Sequence, residues 1–262
     1  MTAPWSLVLA FDRNYVLPAA VCLRSAQAHV VDPPESVFVV AEGLVAADEE
    51  LLVRQFPSAK VHVVATNSPL TEFGNCADTA HATPAQFLKC LAPRILDNAA
   101  DRMIYLDVDT LVLGDLGELA RTEIGENIAG FVVDRFVTRN VIDPGDHPYY
   151  NAGMFVTDRS TWNAHGVTEK ILKIIDAQAD ELEYGDQDAL NKALRGHIAP
   201  LPQRWNYLLS EREKEDPTKE ISHRTDEVSV LHFCGPVKPW RTPLGHPYLR
   251  ELYDTYAGAV RA

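Results

Sequence analysis

The sequence predicts an α/β fold, a mostly parallel mixed sheet flanked by helices, on three observations. Short runs of Val, Leu and Ile alternate with helical segments of about a dozen residues, which is the pattern of βαβ units. The runs are almost continuously apolar, as strands covered on both faces must be. Apolar residues make up 46% of the 262, enough for a core of that extent.

Ser6–Ala10 reads as the first strand, and Leu17–His29 follows with apolar residues at helical spacing. Ser36–Val40 is a second strand, Ala46–Phe56 a helix and Lys60–Ala65 a third strand. Pro84–Leu96 is helical again and Met103–Leu106 is a fourth strand. Ile128–Val133 and Gly153–Thr157 are further strands, Ser160–Gln178 one long amphipathic helix, Asp186–Leu194 a shorter one, and Val228–Phe233 a late strand. Two stretches depart from the pattern. Arg135–Tyr150 is rich in turn residues and aromatics, while Ser210–Glu227 is almost all polar and reads as a solvated loop. No repeat or linker divides the chain, so a single domain is expected.

The formal net charge of −13 disfavours nucleic acid and anionic lipid as partners. No apolar stretch approaches the roughly 20 residues that span a bilayer. The N-terminus carries neither a basic region nor a small-residue cleavage site. The expectation is a soluble, cytoplasmic protein with no direct membrane binding. Cys22, Cys76, Cys90 and Cys234 form no CxxC pair and are expected to be reduced thiols, with Cys22 and Cys90 in the core.

The chemistry concentrates where an apolar run ends in Asp107-Val108-Asp109. Ligands of open parallel sheets bind beyond the C-terminal ends of the strands. Residues two apart on an extended chain point the same way. Two carboxylates that close repel unless a cation lies between them, and carboxylate oxygens suit Mg²⁺ or Mn²⁺. The alternative is two exposed aspartates at a strand end. A second cluster, LHFCGPVKPW from Leu231 to Trp240, places His232 at the end of another apolar run. A Gly-Pro turn and Lys238 follow it. Imidazole can complete a metal site begun by carboxylates, and a lysine beside a glycine-bearing loop can hold phosphate oxygens.

Together these segments resemble glycosyltransferase family 8, which contains glycogenin and the bacterial lipopolysaccharide α-glycosyltransferases, and most closely its bacterial α-galactosyltransferase branch. AFDRNY (Ala10–Tyr15), YLDVDTLV (Tyr105–Val112), YNAGMFV (Tyr150–Val156), YGDQDALN (Tyr184–Asn191), RWN (Arg204–Asn206) and HFCGPVKPW (His232–Trp240) occur in the family's order from about Ser6 to Trp240. The resemblance implies a GT-A-type, Rossmann-like domain. Residues 1–110 would form its nucleotide-binding part, 111–245 the donor-sugar and acceptor part, and 246–262 a C-terminal helix. It implies that Asp107, Asp109 and His232 bind a divalent metal, Mn²⁺ with Mg²⁺ as the alternative. Ala10, Asp12, Asn14 and Tyr15 would hold uracil and ribose; Tyr15 also reads as a core residue starting a helix. Gly235 and Lys238 would hold the diphosphate. Val108, Asp134, Asn151, Ala152, Asp186 and Gln187 would line the donor and the reacting centre, although Asp186 also reads as a helix N-cap.

The family's usual Arg in the helix ahead of the aspartates is Lys89 here, a point charge that cannot form the planar bidentate fork. Thr157-Asp158 stands at the end of the YNAG segment, where the family usually has an Asn. The implied activity is retaining transfer of galactose or glucose from a UDP-hexose to a hydroxyl acceptor. Gln187, Asp186 and Lys238 would act at the reacting centre. The acceptor is expected to be soluble, since Arg250 and Arg261 in Leu249–Ala262 are cancelled by Glu251 and Asp254. It would sit beside Gln187 against Arg135–Tyr150, with His147, Tyr149 and Tyr150 as stacking faces. Two other readings use the same residues. One is a non-catalytic sugar-nucleotide-binding protein. The other is a dehalogenase-type Mg²⁺ phosphatase with Asp107 as nucleophile, although the Thr such enzymes carry four residues on is Leu111 here.

Overall fold

The computed structural model describes residues 3–65, 84–137, 147–219, 221 and 227–261. Its elements in chain order are β1 (Trp5–Asp12), α1 (Val16–His29), β2 (Ser36–Glu42), α2 (Ala46–Arg54), β3 (Lys60–Ala65), α3 (Leu88–Ile95) and β4 (Arg102–Leu106). There follow β5 (Thr110–Val112), α4 (Leu116–Ala120), β6 (Ala129–Val133), β7 (Tyr150–Asp158), α5 (Arg159–Ala164) and α6 (Val167–Gln178). The chain continues with α7 (Asp186–Ala193), β8 (Ile198–Leu201), β9 (Tyr207–Leu208), α8 (Glu211–Glu215), β10 (Val230–His232) and α9 (Pro247–Arg261).

A seven-stranded sheet runs in the order β3-β2-β1-β4-β7-β6-β8. All its pairs are parallel except those of β7, which lies antiparallel to both β4 and β6. The apolar strands are explained by two cores. Along β1, Leu7, Leu9 and Phe11 face one hydrophobic cluster, while Val8 and Ala10 face the other. The strand period of two divides the residues, and no position is left for water. Helices α1 and α9 pack on the first face, and α3, α6 and α7 on the second.

From β1 the chain winds outward through β2 and β3, then returns to place β4 on the other side of β1. The β1/β4 boundary is therefore the topological switch point, where a crevice opens beyond the strand ends. β1 ends there at Asp12 and β4 at Leu106, immediately before the aspartate pair. Because β7 is antiparallel, its first residues, Tyr150–Gly153, arrive at the same end of the sheet.

Two expectations are corrected. The long helix over Ser160–Gln178 is two, α5 and α6. They break at Gly166, whose φ of +58° is disfavoured for L side chains, so the chain cannot continue as one rod. The polar stretch Ser210–Glu227 is not simply a solvated loop. It opens with helix α8, begun by a capping box in which Ser210 and Glu213 satisfy each other's backbone N–H groups. Within α8, Glu213 and Lys214 are buried. The short strands β8 and β9 lie outside the predicted elements. Cys22 and Cys90 are buried as expected, and burial pushes the Cys22 thiol up to about 12. Cys76 lies outside the described residues. Among the described residues, no helix is long and apolar enough to cross a membrane.

Candidate active site

A small sheet, β5-β10-β9, brings the two sequence clusters together. β10 runs antiparallel to β5 with His232 opposite Thr110, so the histidine lands beside the aspartates. The turn is tied at both ends: Asp107 N–H donates to Gly153 O at 2.7 Å, and Phe233 N–H to Asp109 O at 2.9 Å. One ligand atom each from Asp107, Asp109 and His232 falls within 4.8 Å of the others. His232 Nε2 is 3.1 Å from Asp109 Oδ1. The ring can lie so close to β7 only because residue 153 is glycine; a Cβ there would sit 2.2 Å from His232 Cε1.

Each aspartate of the pair also carries a lysine. Lys238 Nζ donates to Asp109 Oδ2 and, at 2.7 Å, to Phe233 O. Burial alone would raise the Asp109 carboxyl, but Lys238 and His232 outweigh it and hold it well below the usual carboxylate range. Lys89, 5% exposed, bridges Asp107 Oδ1 and Asp186 Oδ2 at 2.8 Å each and reaches Ala152 O at 3.3 Å. Burial would strip its charge; Asp107 and Asp186 reverse that and hold it well above the usual lysine range. Burial raises the Asp186 carboxyl, outweighing the Lys89 ammonium it shares with Asp107. Asp186 is not the helix cap. Gly185 precedes α7 without a side-chain cap, and Asp186 spends its carboxylate on Lys89.

The α7 side of the cleft is a network of amides. Asp134 accepts from the N–H groups of Phe136 and Val137 and from Asn151 Nδ2 at 3.0 Å, with Gln187 Nε2 at 3.3 Å. Gln187 Oε1 accepts from Asn151 Nδ2 and from Ala152 N–H, both at 3.0 Å. Asn191 stitches α7 to β7 through both backbone groups of Tyr150. Gln187 is thereby fixed relative to the aspartate pair. On the β1 side, Asp12 accepts from Asn14 N–H at 2.8 Å and shapes the turn into α1. The Tyr15 ring packs against the core and meets Trp240 edge-on at 6.2 Å, and it also lines the cleft.

One cleft is lined by every residue the sequence offered for the metal, the donor and the reacting centre, from Ala10, Asp12, Asn14 and Tyr15 to Gly235 and Lys238. The proposed aromatic wall is different from expectation. Tyr150 is buried in the core, and Tyr149 is engaged by its hydroxyl with Asp188. His147 does not line the cleft, and 138–146 lie outside the described residues. The exposed aromatics at the cleft are instead Phe136 and Tyr184. Asp158 of the divergent Thr-Asp pair sits at the far end of β7, paired with Arg102 at 2.7 Å.

Sequence reasoning missed Gly153, whose role needs the fold to bring His232 over it, and Lys214. Fully buried, Lys214 Nζ donates to Cys234 O at 2.6 Å and Val237 O at 3.0 Å, pinning the loop that carries Gly235 and Lys238. Nothing in the polar run around Lys214 marks it out.

The sequence model of glycosyl transferase family 8 matches residues 6–243. General stress protein A of Bacillus subtilis is 31% identical over 195 residues, covering 69% of this chain and 68% of that protein. Lipopolysaccharide 1,2-glucosyltransferase of Escherichia coli K12 is 29% identical over 168 residues, 60% of this chain; the match spans only 49% of that relative's length. A solved structure of the galactosyltransferase LgtC, in complex with donor and acceptor sugar analogs, superposes with a TM-score of 0.82. It covers 98% of this chain and 96% of that one at 23% identity, a likeness of fold.

Proposed function

The chain belongs to glycosyltransferase family 8, and on that premise we propose that it transfers a hexose, glucose or galactose, from a UDP-sugar to a hydroxyl of a saccharide or other soluble acceptor, with retention. The observation that carries this reading is the convergence of Asp107, Asp109 and His232, with Lys238 beside them, at the sheet's switch point. The relatives described as glucosyl- and galactosyltransferases support a hexose donor.

The donor set fits a divalent cation. Two hard carboxylates and an imidazole nitrogen share one point, and Gly153 leaves the ring the room it needs. Asp107, Asp109 and His232 would hold Mn²⁺ or Mg²⁺, which when bound would supply positive charge beside the diphosphate. Residues Ala10, Asp12, Asn14 and Tyr15 would take the nucleoside, with 1–110 as the nucleotide-binding part and 111–245 as the sugar part. Gly235 and Lys238 would take the diphosphate oxygens. Lys238 would stabilise the charge that grows on the leaving oxygen, which is where binding energy accelerates the step.

Retention requires attack from the face the diphosphate leaves. A carboxylate nucleophile could achieve it in two steps, but the group at the reacting centre is the Gln187 amide, a poor nucleophile. The acceptor oxygen would therefore form its bond to the anomeric carbon on that same face as the bond to the diphosphate oxygen breaks. The hydroxyl proton passes to the departing phosphate. Gln187 orients and stabilises through its ties to Asp134, Asn151 and Ala152, and Asp186 accepts from sugar hydroxyls. Phe136 and Tyr184 offer faces to the acceptor.

Calorimetric titration of UDP in Mn²⁺ and in EDTA tests the metal-bridged donor site. Binding should weaken by at least about tenfold in EDTA, a difference of 1.4 kcal/mol; equal affinity would overturn it. A donor screen scored by UDP release then identifies the sugar.

The same-face path makes a second prediction. Gln187→Ala should slow transfer without stopping it, and Gln187→Glu should be no faster than wild type. In Gln187→Glu, a carboxylate would replace the amide nitrogen that now lies 3.3 Å from Asp134 Oδ2, so two like charges would meet. Mass spectrometry of the enzyme incubated with donor alone is the check: a hexose adduct on residue 187 would refute the path.

A further inference from the structure

His232 meets a partner at each ring nitrogen, and its place in the metal site depends on which one carries the proton. Nε2 faces Asp109 Oδ1 at 3.1 Å, while Nδ1 faces Asn206 Oδ1 at 2.9 Å. Distances between heavy atoms leave the tautomer open. The polarity of the hydrogen bonds around the ring decides it.

The chain of bonds starts at Asp134. Its carboxylate is met by the backbone N–H groups of Phe136 and Val137, so it serves as an acceptor. Asn151 must therefore turn its NH₂ toward Asp134, at 3.0 Å. That leaves Asn151 Oδ1 on the other side, where the Gly153 N–H, which can only donate, meets it at 2.9 Å. Asn206 in turn must present its NH₂ to Asn151 Oδ1, at 2.8 Å, and its carbonyl oxygen to His232. An acceptor opposite Nδ1 calls for the proton on Nδ1; Asp109 Oδ1 makes the same demand of Nε2, and a cation shared with Asp109 removes it.

We infer that Asn206 is a positioning residue that fixes the Nδ1–H tautomer of His232, so that the Nε2 lone pair is aimed at the point shared with Asp107 and Asp109. Asn206 is wholly buried and touches none of the reacting groups, so it acts through the histidine. The relay also ties the metal point to Asp134, Asn151 and Gln187, so the sugar side and the metal side share one hydrogen-bond network. A histidine ligand commonly donates its other N–H to an oxygen that sets tautomer and ring plane. Here that oxygen is an amide whose own orientation is dictated two residues further back.

The inference rests on the metal reading above, and the test separates the two. Three full-length proteins are compared: wild type, Asn206→Asp and Asn206→Leu. Both substitutions remove the Asn206 donor from Asn151 Oδ1, leaving it the Gly153 N–H, so a merely structural role would lower the melting temperature and the Mn²⁺ affinity in both alike. Asn206→Asp keeps an acceptor opposite Nδ1, and Asn206→Leu does not. Mn²⁺ affinity, read from free Mn²⁺ by electron paramagnetic resonance, should stay within about threefold of wild type in Asn206→Asp. It should fall about 10- to 100-fold in Asn206→Leu. Nitrogen-15 NMR of histidine-labelled wild type loaded with a diamagnetic divalent cation, Mg²⁺, and with His232→Gln to assign the signal, should show a proton-bearing Nδ1 and a bare Nε2. A proton on Nε2, equal Mn²⁺ affinity in all three proteins, or equal loss in both variants would overturn the inference. If wild type binds no divalent cation, the metal reading fails and the inference falls with it.

Discussion

Asp109→Asn is expected to lower UDP-sugar turnover by about a hundredfold or more, equivalent to roughly 2.7 kcal/mol of transition-state stabilisation. It should also lower the melting temperature. From the sequence alone the substitution looks harmless to the fold, because it would relieve repulsion between two neighbouring carboxylates. The structure reverses that sign. Asp109 is not mainly a repelled neighbour of Asp107; it is the partner of Lys238 and His232, with its side chain only 14% exposed. Removing its charge leaves the Lys238 ammonium, equally enclosed, without its counter-ion and with only neutral acceptors, the Asn carbonyl oxygen and the Phe233 carbonyl, among these contacts. An imperfectly paired buried group of this kind costs about 1–3 kcal/mol. That cost lowers the melting temperature by about 2–4 °C per kcal/mol in a chain of this size. Thermal melts beside a UDP-release assay check both parts. Turnover within about threefold of wild type would remove Asp109 from the site, and an unchanged or higher melting temperature would remove the ion pair.

Much of this site is readable in the sequence because its residues sit at strand ends, and strand ends can be located from apolar runs alone. Asp107 and Asp109 follow β4, Asp12 ends β1, and His232 ends β10. What the sequence does not carry is the direction in which a strand is inserted. β7 reads like any other apolar run, yet its antiparallel placement is what brings Asn151, Ala152 and Gly153 to the end of the sheet where β4 finishes. Burial of charge is equally hidden. Lys214 stands in a run of charged residues whose composition signals solvent, yet its ammonium is buried between Glu211 at 2.6 Å and the loop carbonyls of Cys234 and Val237. Aromatic composition misleads in the same way: Tyr150 belongs to the core because it is the first residue of β7, whereas Phe136, with Arg135 over its ring at 4.9 Å, is left exposed.

Lys89→Met should cost more stability than Asp109→Asn, and a divalent cation should restore part of the loss. Met roughly matches the lysine stem in length, so the change reads charge more than cavity. Lys89 is the shared counter-ion of Asp107 and Asp186, whose side chains are 28% and 12% exposed. Breaking a buried pair by removing one partner costs about 3–5 kcal/mol, which corresponds to a fall of roughly 6–20 °C in melting temperature. The two carboxylates differ in what can replace the ammonium. Asp107 belongs to the group that includes Asp109 and His232, so a bound cation can neutralise it. Asp186 is not a member of that group and would keep its deficit, moderated by taking up a proton. Mn²⁺ should therefore raise the melting temperature of Lys89→Met by more than it raises that of wild type, yet not to the wild-type value. Melts with and without Mn²⁺ decide this. A variant within about 2 °C of wild type would mean that the two ion pairs hold nothing. Equal shifts with Mn²⁺ in both proteins would mean that Lys89 and the cation do not share Asp107. The family's usual Arg could pair both carboxylates with separate N–H groups, whereas a lysine must divide one ammonium between them. On the proposed reading, the charge balance around Asp186 would thereby be coupled to whether Asp107, Asp109 and His232 hold a cation.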